Sequence, residues 1–138
     1  MKAELLFGIA ACVFLGGCVS SAEQPSVPLV GTDWTLIELN GKAVSANANL
    51  RAPTLKLDPA TKRVSGQSGV NRYAGAYELD GAKLKFGSTL ATRMAGPPEA
   101  MELEKDFLTA LEKVSTWRIK SELELSDGKA VLMKFRAP

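Results

Sequence analysis

The chain has 138 residues, a length typical of one domain, and 17 lysines and arginines against 15 aspartates and glutamates give a net charge of +2. This near-neutral balance, with no basic block, gives no electrostatic basis for binding nucleic acid. The chain contains no histidine, which excludes a Ser–His–Asp triad, a histidine general base and a histidine metal ligand.

The N-terminus has the features of a secretory signal. Lys2 precedes an apolar run over residues 5–15, and Gly16, Gly17 and Cys18 follow. The run is shorter than the ~20 residues that a membrane-spanning helix needs, and the chain becomes polar directly after the cysteine. A cationic start, a short apolar run and small residues before a cleavage site predict a signal peptide over residues 1–17.

The peptide Leu15-Gly16-Gly17-Cys18 indicates a lipobox, in which small residues fit the signal peptidase and the thiol accepts the lipid. A rival lipobox ends at Cys12, but it would shorten the apolar run and leave residues 13–15 after the cut. We therefore expect acylation, with palmitate-type chains, at Cys18, and two or three chains hold a protein firmly on a membrane. Val19 stands where aspartate would favour inner-membrane retention. This favours the outer membrane with the domain facing the periplasm, the inner membrane and the cell surface being alternatives.

The mature chain divides into a tether and a domain. Residues 18–28 are rich in serine and proline and predict a flexible tether. The domain, residues 29–138, has short segments in which apolar residues recur at every second position, which places them on one face of a strand. The dipeptides Asn40-Gly41, Asp80-Gly81 and Asp127-Gly128 favour hairpins. Strands are predicted, in chain order, at 34–39, 54–57, 63–67, 76–79, 83–86, 117–120, 122–126 and 129–136.

One segment, residues 98–114, has apolar residues at helical spacing instead. Pro97-Pro98 suits a helix start, and glutamates near the start with Lys113 near the end agree with the helix dipole. We therefore predict a mainly β, β-rich α+β fold: an antiparallel, barrel-like curved sheet with one helix that closes an end or a face.

Residues 64–94 read VSGQSGVNRYAGAYELDGAKLKFGSTLATRM. With GTDW before them and the helical segment after them, they resemble the META domain, or HslJ-like, family of small bacterial envelope proteins. The motifs SG-x-SG-x-NRY-x-G-x-Y, L-x-F and TRM carry a resemblance that covers about residues 29–135. It implies a compact β-barrel-like fold with one helix, secretion or membrane anchoring, and no established catalytic activity. Some members are linked to stress response, or to virulence and motility.

Two positions depart from the family pattern. Members commonly carry cysteines where this chain has Val70 and Gly96, and the resemblance implies that this pair forms a disulfide in relatives. Closing that loop contributes about 3.5 kcal/mol in the chain-entropy model, so this domain must gain the equivalent from packing. With Cys18 acylated and Cys12 removed, no disulfide and no redox role are expected.

The candidate recognition residues are Asn71, Arg72, Tyr73, Thr92 and Arg93. As a binding patch, they offer a planar bidentate donor in each arginine and an amphipathic anchor in the tyrosine. A structural role is favoured, because glycines at 66, 69 and 75 suggest a turn-rich element. In that role Asn71 suits a turn, because asparagine tolerates the left-handed conformation and can bond its own backbone, and Arg72 or Arg93 pairs with a strand or helix carboxylate.

Other chemistry-bearing residues are assigned structural roles. The helix carboxylates are Glu99, Glu102, Glu104, Asp106 and Glu112. Interleaved lysines favour a solvated helix face for them over acid–base or metal chemistry. Trp34 and Trp117 are expected to pack on the sheet. No metal and no cofactor are expected, since the serines lack a histidine base and residues 66–69 lack the lysine of a phosphate loop.

The sequence predicts a non-catalytic envelope lipoprotein, monomeric, anchored through lipid on Cys18, whose partner is an unidentified envelope protein or ligand. Three alternatives stay open. One is a small barrel inhibitor of a lysozyme or protease, with loops near 70–72 and 95–98 as inserts, although the +2 charge is unfavourable toward a basic lysozyme. The others are a carrier of hydrophobic small molecules and a hydrolase with paired carboxylates. A filled interior favours surface binding, and an open apolar cavity favours carriage.

Overall fold

The computed structural model describes residues 26–138. The predicted signal peptide, Cys18 and most of the predicted tether lie outside the described residues. The described residues form the strands β1 (Trp34–Leu39), β2 (Lys42–Ala43), β3 (Thr54–Asp58), β4 (Arg63–Gln67), β5 (Arg72–Asp80), β6 (Lys83–Ala91), β7 (Thr116–Ile119), β8 (Leu123–Ser126) and β9 (Val131–Arg136), with the helix α1 (Pro98–Lys113) between β6 and β7. That helix is not long and apolar enough to cross a bilayer.

The strands form one antiparallel sheet that curves until its ends meet. Neighbours follow chain order from β3 to β9, and β1 pairs with β3 on one side and with β9 on the other. β2 extends β1 as a short hairpin. One paired position, Lys83 with Thr116, joins β6 to β7, so the sheet is ring-like rather than a uniform barrel. This arrangement confirms the predicted β-rich fold, with its curved antiparallel sheet and single helix.

The three predicted hairpins are present. Asn40 and Gly41 have φ of 50° and 80°, the left-handed values that a tight two-residue hairpin turn requires. Gly81 and Gly128 supply positive φ in the other two hairpins. The helix ends one residue earlier than predicted, because Val114 has extended backbone angles.

The segment predicted to be turn-rich is mostly paired strand. β4 continues to Gln67 and β5 begins at Arg72, so Gly66 and Gly75 lie inside the ladder and only Gly69 lies in the connecting turn. β6 likewise continues to Ala91. Small residues in β5 and β6 lack the alternating apolar pattern, and for that reason the predicted strands 76–79 and 83–86 were too short, whereas 63–67 matches β4.

Helix α1 covers one opening of the ring. The phenyl group of Phe107 is fully buried. It makes edge-to-face contacts with the aromatic groups of Tyr73 in β5 and Phe135 in β9, at centroid distances of 5.5 and 6.4 Å. The eight strands that close the ring, all except β2, place β5 and β9 on opposite sides of it. Phe107 therefore contacts both sides of the interior. Burying such a side chain contributes roughly 1.5–3 kcal/mol.

The interior of the ring is filled. Side chains from seven strands and the helix occupy it, each at most 3% exposed: Trp34, Leu36, Leu55, Leu57, Val64, Tyr77, Leu84, Leu111, Leu123, Leu125, Met133 and Phe135. The indole N–H of Trp34 donates to the carbonyl of Leu29 at 3.0 Å. Trp117 packs half-buried against the same core. Both tryptophans therefore pack on the sheet, as predicted.

Candidate functional site

Asn71 is the centre of a buried polar cluster where the β4–β5 turn meets the segment before α1. Its Oδ1 accepts hydrogen bonds from the backbone N–H of Met94 at 2.7 Å and the hydroxyl of Thr92 at 2.9 Å. Its Nδ2 donates to the carbonyl of Met94 at 3.1 Å and to Oε2 of Glu104 at 2.8 Å. These four bonds use every donor and acceptor of the amide. Asn71 is not among the described residues with positive φ, so it does not use the left-handed conformation that asparagine tolerates.

Glu104 is the helix carboxylate that does not face solvent, at 8% exposed. Its Oε1 accepts from the hydroxyl of Ser68 at 2.5 Å and from the backbone N–H of Asn71 at 2.8 Å. The predicted solvated helix face was therefore wrong for Glu104, although the other four carboxylates are exposed. The helical spacing of the sequence could have predicted this burial. Glu104 lies four residues after Ala100 and three before Phe107, and is therefore on the buried face of the helix.

Two opposed effects set the pKa of Glu104. Burial raises the pKa because it removes water from the charged form, and hydrogen bonds from Ser68 and Asn71 lower it because they stabilise that form. The hydrogen bonds prevail, so the pKa lies below its ordinary value. Glu104 is therefore ionised at neutral pH, and the protein's own donors occupy its oxygens. This chemistry suits positioning of the surrounding backbone rather than proton transfer. We call Ser68, Asn71, Thr92, Met94 and Glu104 the Asn71–Glu104 cluster.

The remaining candidate residues separate into one inward and two outward side chains. Tyr73 is 2% exposed and its hydroxyl donates to the carbonyl of Thr54 at 2.8 Å, and burial raises the pKa of Tyr73 far above its usual range. It is a core residue and not a surface anchor. Arg72 and Arg93 are exposed, and neither takes part in an ion pair with a described residue, so the predicted pairing with carboxylates was wrong. The ion pairs of the described residues are Lys56–Asp33, Arg118–Glu124 and Lys134–Glu38.

A groove of ≈ 720 Å³ lies on the outer face of β4, β5 and β6. We call it the arginine groove, because Arg51 and Arg72 are its charged residues and it contains no carboxylate. It is lined by Arg51, Thr54, Ser65, Gly66, Gln67, Arg72, Tyr73, Ala74, Leu90, Ala91 and Thr92. Two cross-strand rows form its floor: Ser65, Ala74 and Leu90 in one, Gln67 and Arg72 in the other. Of the five candidate residues, Arg72, Tyr73 and Thr92 contribute to this groove.

The arginine groove lies beside the end of the β3–β4 ladder. The last ladder pair at this end joins Lys56 to Ser65. Two residues further on, the backbone N–H of Gln67 donates to the side-chain hydroxyl of Thr54 at 3.0 Å, and not to a backbone carbonyl of β3. A Cβ on Gly66 would lie 2.1 Å from the carbonyl oxygen of Thr54. A glycine at position 66 therefore allows the backbones of β3 and β4 to approach each other this closely. Arg51 and Gln67, which sequence analysis did not select, enter the site through this local geometry.

A second groove, of ≈ 610 Å³, lies between α1 and the segment after β2. We call it the helix groove. Glu99, Glu102 and Asp106 line it on the helix side, and Lys42 is its one lysine. Apolar residues, Leu103 among them, complete its wall. The two grooves thus have opposite electrostatic character. Among residues 26–138, no three histidine, cysteine, aspartate or glutamate side chains come together as a metal-ligand group.

Comparison with known proteins identifies the fold. The model of the META domain family matches residues 27–138. The NMR structure of a protein from Burkholderia xenovorans is 24% identical, covers 100% of this chain and 98% of that chain, and has a TM-score of 0.63. A second NMR structure of a protein is 22% identical, covers 78% of this chain and 90% of that chain, and has a TM-score of 0.60. At these identities the two structures show a shared fold alone. No curated protein matches the chain.

Proposed function

The chain belongs to the META domain family, and on that premise we propose that it is a non-catalytic lipoprotein of the bacterial envelope whose domain binds an envelope component at its surface. The filled ring supports binding at the surface. Phe107 contacts Tyr73 and Phe135 from opposite sides of the interior, which leaves no room there for an apolar ligand. Carriage of hydrophobic small molecules inside the sheet is therefore disfavoured.

The state of the acidic residues supports a role without catalysis. A paired-carboxylate hydrolase needs two acids at a set separation across a cleft, and the arginine groove has none. The buried carboxylate, Glu104, has its oxygens occupied by Ser68 and Asn71. Its lowered pKa is opposite to what a general acid at neutral pH requires.

In this proposal, acyl chains on Cys18 hold the protein on the outer membrane, and residues 18–28 connect the anchor to a domain in the periplasm. The lipobox and the polar segment after it support this arrangement. A monomer without metal or cofactor suffices for it. The connection to stress response, which the family resemblance implies, stays a prediction.

Photo-crosslinking in living cells tests the proposal. A photoreactive amino acid would replace Leu90 in the arginine groove or Met94 beside it, which are 79% and 61% exposed. The matched control is Leu79, which is also exposed but lies near the β5–β6 hairpin. Mass spectrometry of the same preparations would report whether the N-terminal residue is acylated Cys18.

An adduct at Leu90 or Met94 that is absent at Leu79, together with acylated Cys18, is the expected result. Unmodified Cys18 in envelope fractions would overturn the anchor. Absence of adducts at Leu90 and Met94, or equal adducts at Leu79, would overturn specific surface binding at the arginine groove.

A second candidate function, inhibition of a basic envelope-directed enzyme, is favoured by the helix groove. The overall charge of +2 is unfavourable toward such a target, but Glu99, Glu102 and Asp106 concentrate negative charge on one helix face. The loops predicted as inserts also lie side by side, since residues 70 and 95–97 line one pocket. Inhibition of lysozyme by the purified protein, lost on converting the three acids to amides, would support this function. Equal lysozyme activity with and without the protein would exclude that target.

A further inference from the structure

We infer that the arginine groove is an anion site that takes a phosphate group carried on an envelope lipid or sugar. The inference rests on the proposed surface binding and specifies its ligand class. Arg51 and Arg72 line the same groove, and neither has an ion pair with a described residue. Because no carboxylate lines the groove, the two positive charges add to a local potential that favours an anion.

The other polar groups of the groove are available as donors. Gln67 is half-buried beside Arg72, its cross-strand partner. The backbone N–H of Gln67 is bonded to Thr54, but its side-chain amide has no hydrogen-bond partner among the described residues, and neither has the hydroxyl of Ser65. Two guanidinium groups, an amide and a hydroxyl are together a donor-rich set. A phosphate offers three or four acceptor oxygens and matches arginine in a bidentate geometry.

The floor of the groove suits a phosphate that is attached to a larger molecule. Ala74 and Leu90 lie in the row beside the charged one, and Leu90 is 79% exposed. The apolar side chains of Ala74 and Leu90, next to Arg72, fit the sugar face or the first methylenes of a lipid, with its phosphate toward Arg72. Free phosphate would use the polar donors of the groove and would leave Ala74 and Leu90 without a partner.

The Asn71–Glu104 cluster holds one side of this groove rigid. Asn71 directly precedes Arg72, and the backbone N–H of Arg72 donates to the hydroxyl of Thr92 at 3.2 Å. That hydroxyl in turn donates to Asn71. The backbone that carries Arg72 is therefore fixed before any ligand arrives, which lowers the ordering cost of binding.

Titration of the mature, acylated protein in neutral detergent micelles tests the inference. The probes are glucose 1-phosphate in solution and phosphatidylglycerol doped into the micelles, with phosphatidylcholine as the lipid control. Backbone amide NMR shifts of residues 65–74 report occupancy. The variants are Arg51→Gln and Arg72→Gln. Arg63→Gln is the matched control, because it removes the same charge from an exposed position of β4 outside the groove.

Saturable shifts with either phosphate probe are expected, and loss of either groove arginine should weaken binding about tenfold, whereas Arg63→Gln changes it less than twofold. Binding of phosphatidylglycerol without glucose 1-phosphate would assign the site to a lipid head group, and binding of both would assign it to the phosphate itself.

No shift with either probe up to ten millimolar, on the order of nonspecific anion affinity, would overturn the inference. Equal losses for Arg63→Gln and Arg72→Gln would overturn it as well, since they would indicate net charge alone. A photo-adduct at Leu90 in cells, combined with no phosphate binding, would sink the anion site and leave the proposed surface binding intact.

Discussion

Gly96 lies where any side chain would collide with Val70: a Cβ on Gly96 would be 2.6 Å from Cγ2 and 3.4 Å from Cβ of Val70. These are the two positions at which the family resemblance implies a cysteine pair. Where the resemblance implies a disulfide, this protein instead packs the side chain of Val70 against the backbone of Gly96.

This contact predicts that Gly96→Ala destabilises the domain. The added methyl group must displace a stiff, β-branched side chain, which costs roughly 1–3 kcal/mol. Urea unfolding measures the loss. Gly87→Ala is the matched control, because its Cβ would meet the carbonyl of Ala76 at an ordinary 3.7 Å. In a Val70→Ala background the cost of Gly96→Ala should fall, and an unchanged cost would show that the collision is not its cause.

Restoring the cysteine pair should stabilise the domain. The Cβ separation of 3.4 Å is close to the ~3.5–4.5 Å that disulfides span. With oxidised glutathione as the electron acceptor, Val70→Cys with Gly96→Cys should therefore form a disulfide and gain up to about 3.5 kcal/mol over its own reduced form. Unfolding midpoints with and without reductant measure the gain, and each single cysteine variant serves as control. Failure of the pair to oxidise in the folded protein would contradict the geometry.

The role of Glu104 in positioning its neighbours predicts a large effect for Glu104→Gln. Glutamine has one side-chain oxygen, whereas both carboxylate oxygens of Glu104 accept hydrogen bonds from Ser68 and Asn71. At least one buried donor therefore loses its acceptor, which costs about 1–3 kcal/mol. Glu102→Gln changes the same charge on the exposed face of the same helix and should change the free energy of unfolding by less than ~0.5 kcal/mol. Equal effects of the two substitutions would mean that the Asn71–Glu104 cluster contributes nothing specific.

The same carboxylate predicts a pH dependence. Because the pKa of Glu104 is lower in the folded protein than in the unfolded chain, its contribution is fully present above the unfolded pKa and is lost as pH falls through the folded pKa. Stability should thus decline on the acid side of the ordinary glutamate range. Hydrogen bonds to the backbone also lower the pKa values of Asp58 and Asp127.

The informative quantity is therefore the difference in unfolding free energy between wild type and Glu104→Gln at each pH. That difference should shrink between neutral pH and strongly acidic pH. A difference that stays constant would contradict ionisation of Glu104 in the fold.

Local signals in the sequence predicted most of the fold. Asn40-Gly41 marks its hairpin because each residue tolerates the left-handed backbone of the turn. The apolar period around Phe107 marks the helix. The ends of β5 and β6 were missed because Gly75 and Ala91 pair in the sheet without adding an apolar alternation.

The site was less predictable, because it depends on which face of an element is buried. Lys105 next to Glu104 suggested a solvated helix face. Successive residues of a helix point in different directions, however, and Glu104 is buried whereas Lys105 is exposed. Asn71 was predicted to act in a recognition patch or in a turn, whereas its partners Met94 and Glu104 are distant in sequence. Arg51 precedes a strand without any motif of its own, and only the folded sheet places it in a groove with Arg72.

The pairing of β1 with β9, which aligns Thr35 with Arg136, has a consequence for how the chain acquires its structure. Contacts between segments so far apart in sequence form late, because the intervening chain must be ordered first. A polypeptide that emerges from its N-terminus has β1 available before β9, so the sheet cannot close until β9 has been made. Until then one edge of β1 is an open template for other strands. Machinery that handles unfolded chains, whether a chaperone or a translocation channel, has that whole interval in which to engage this protein.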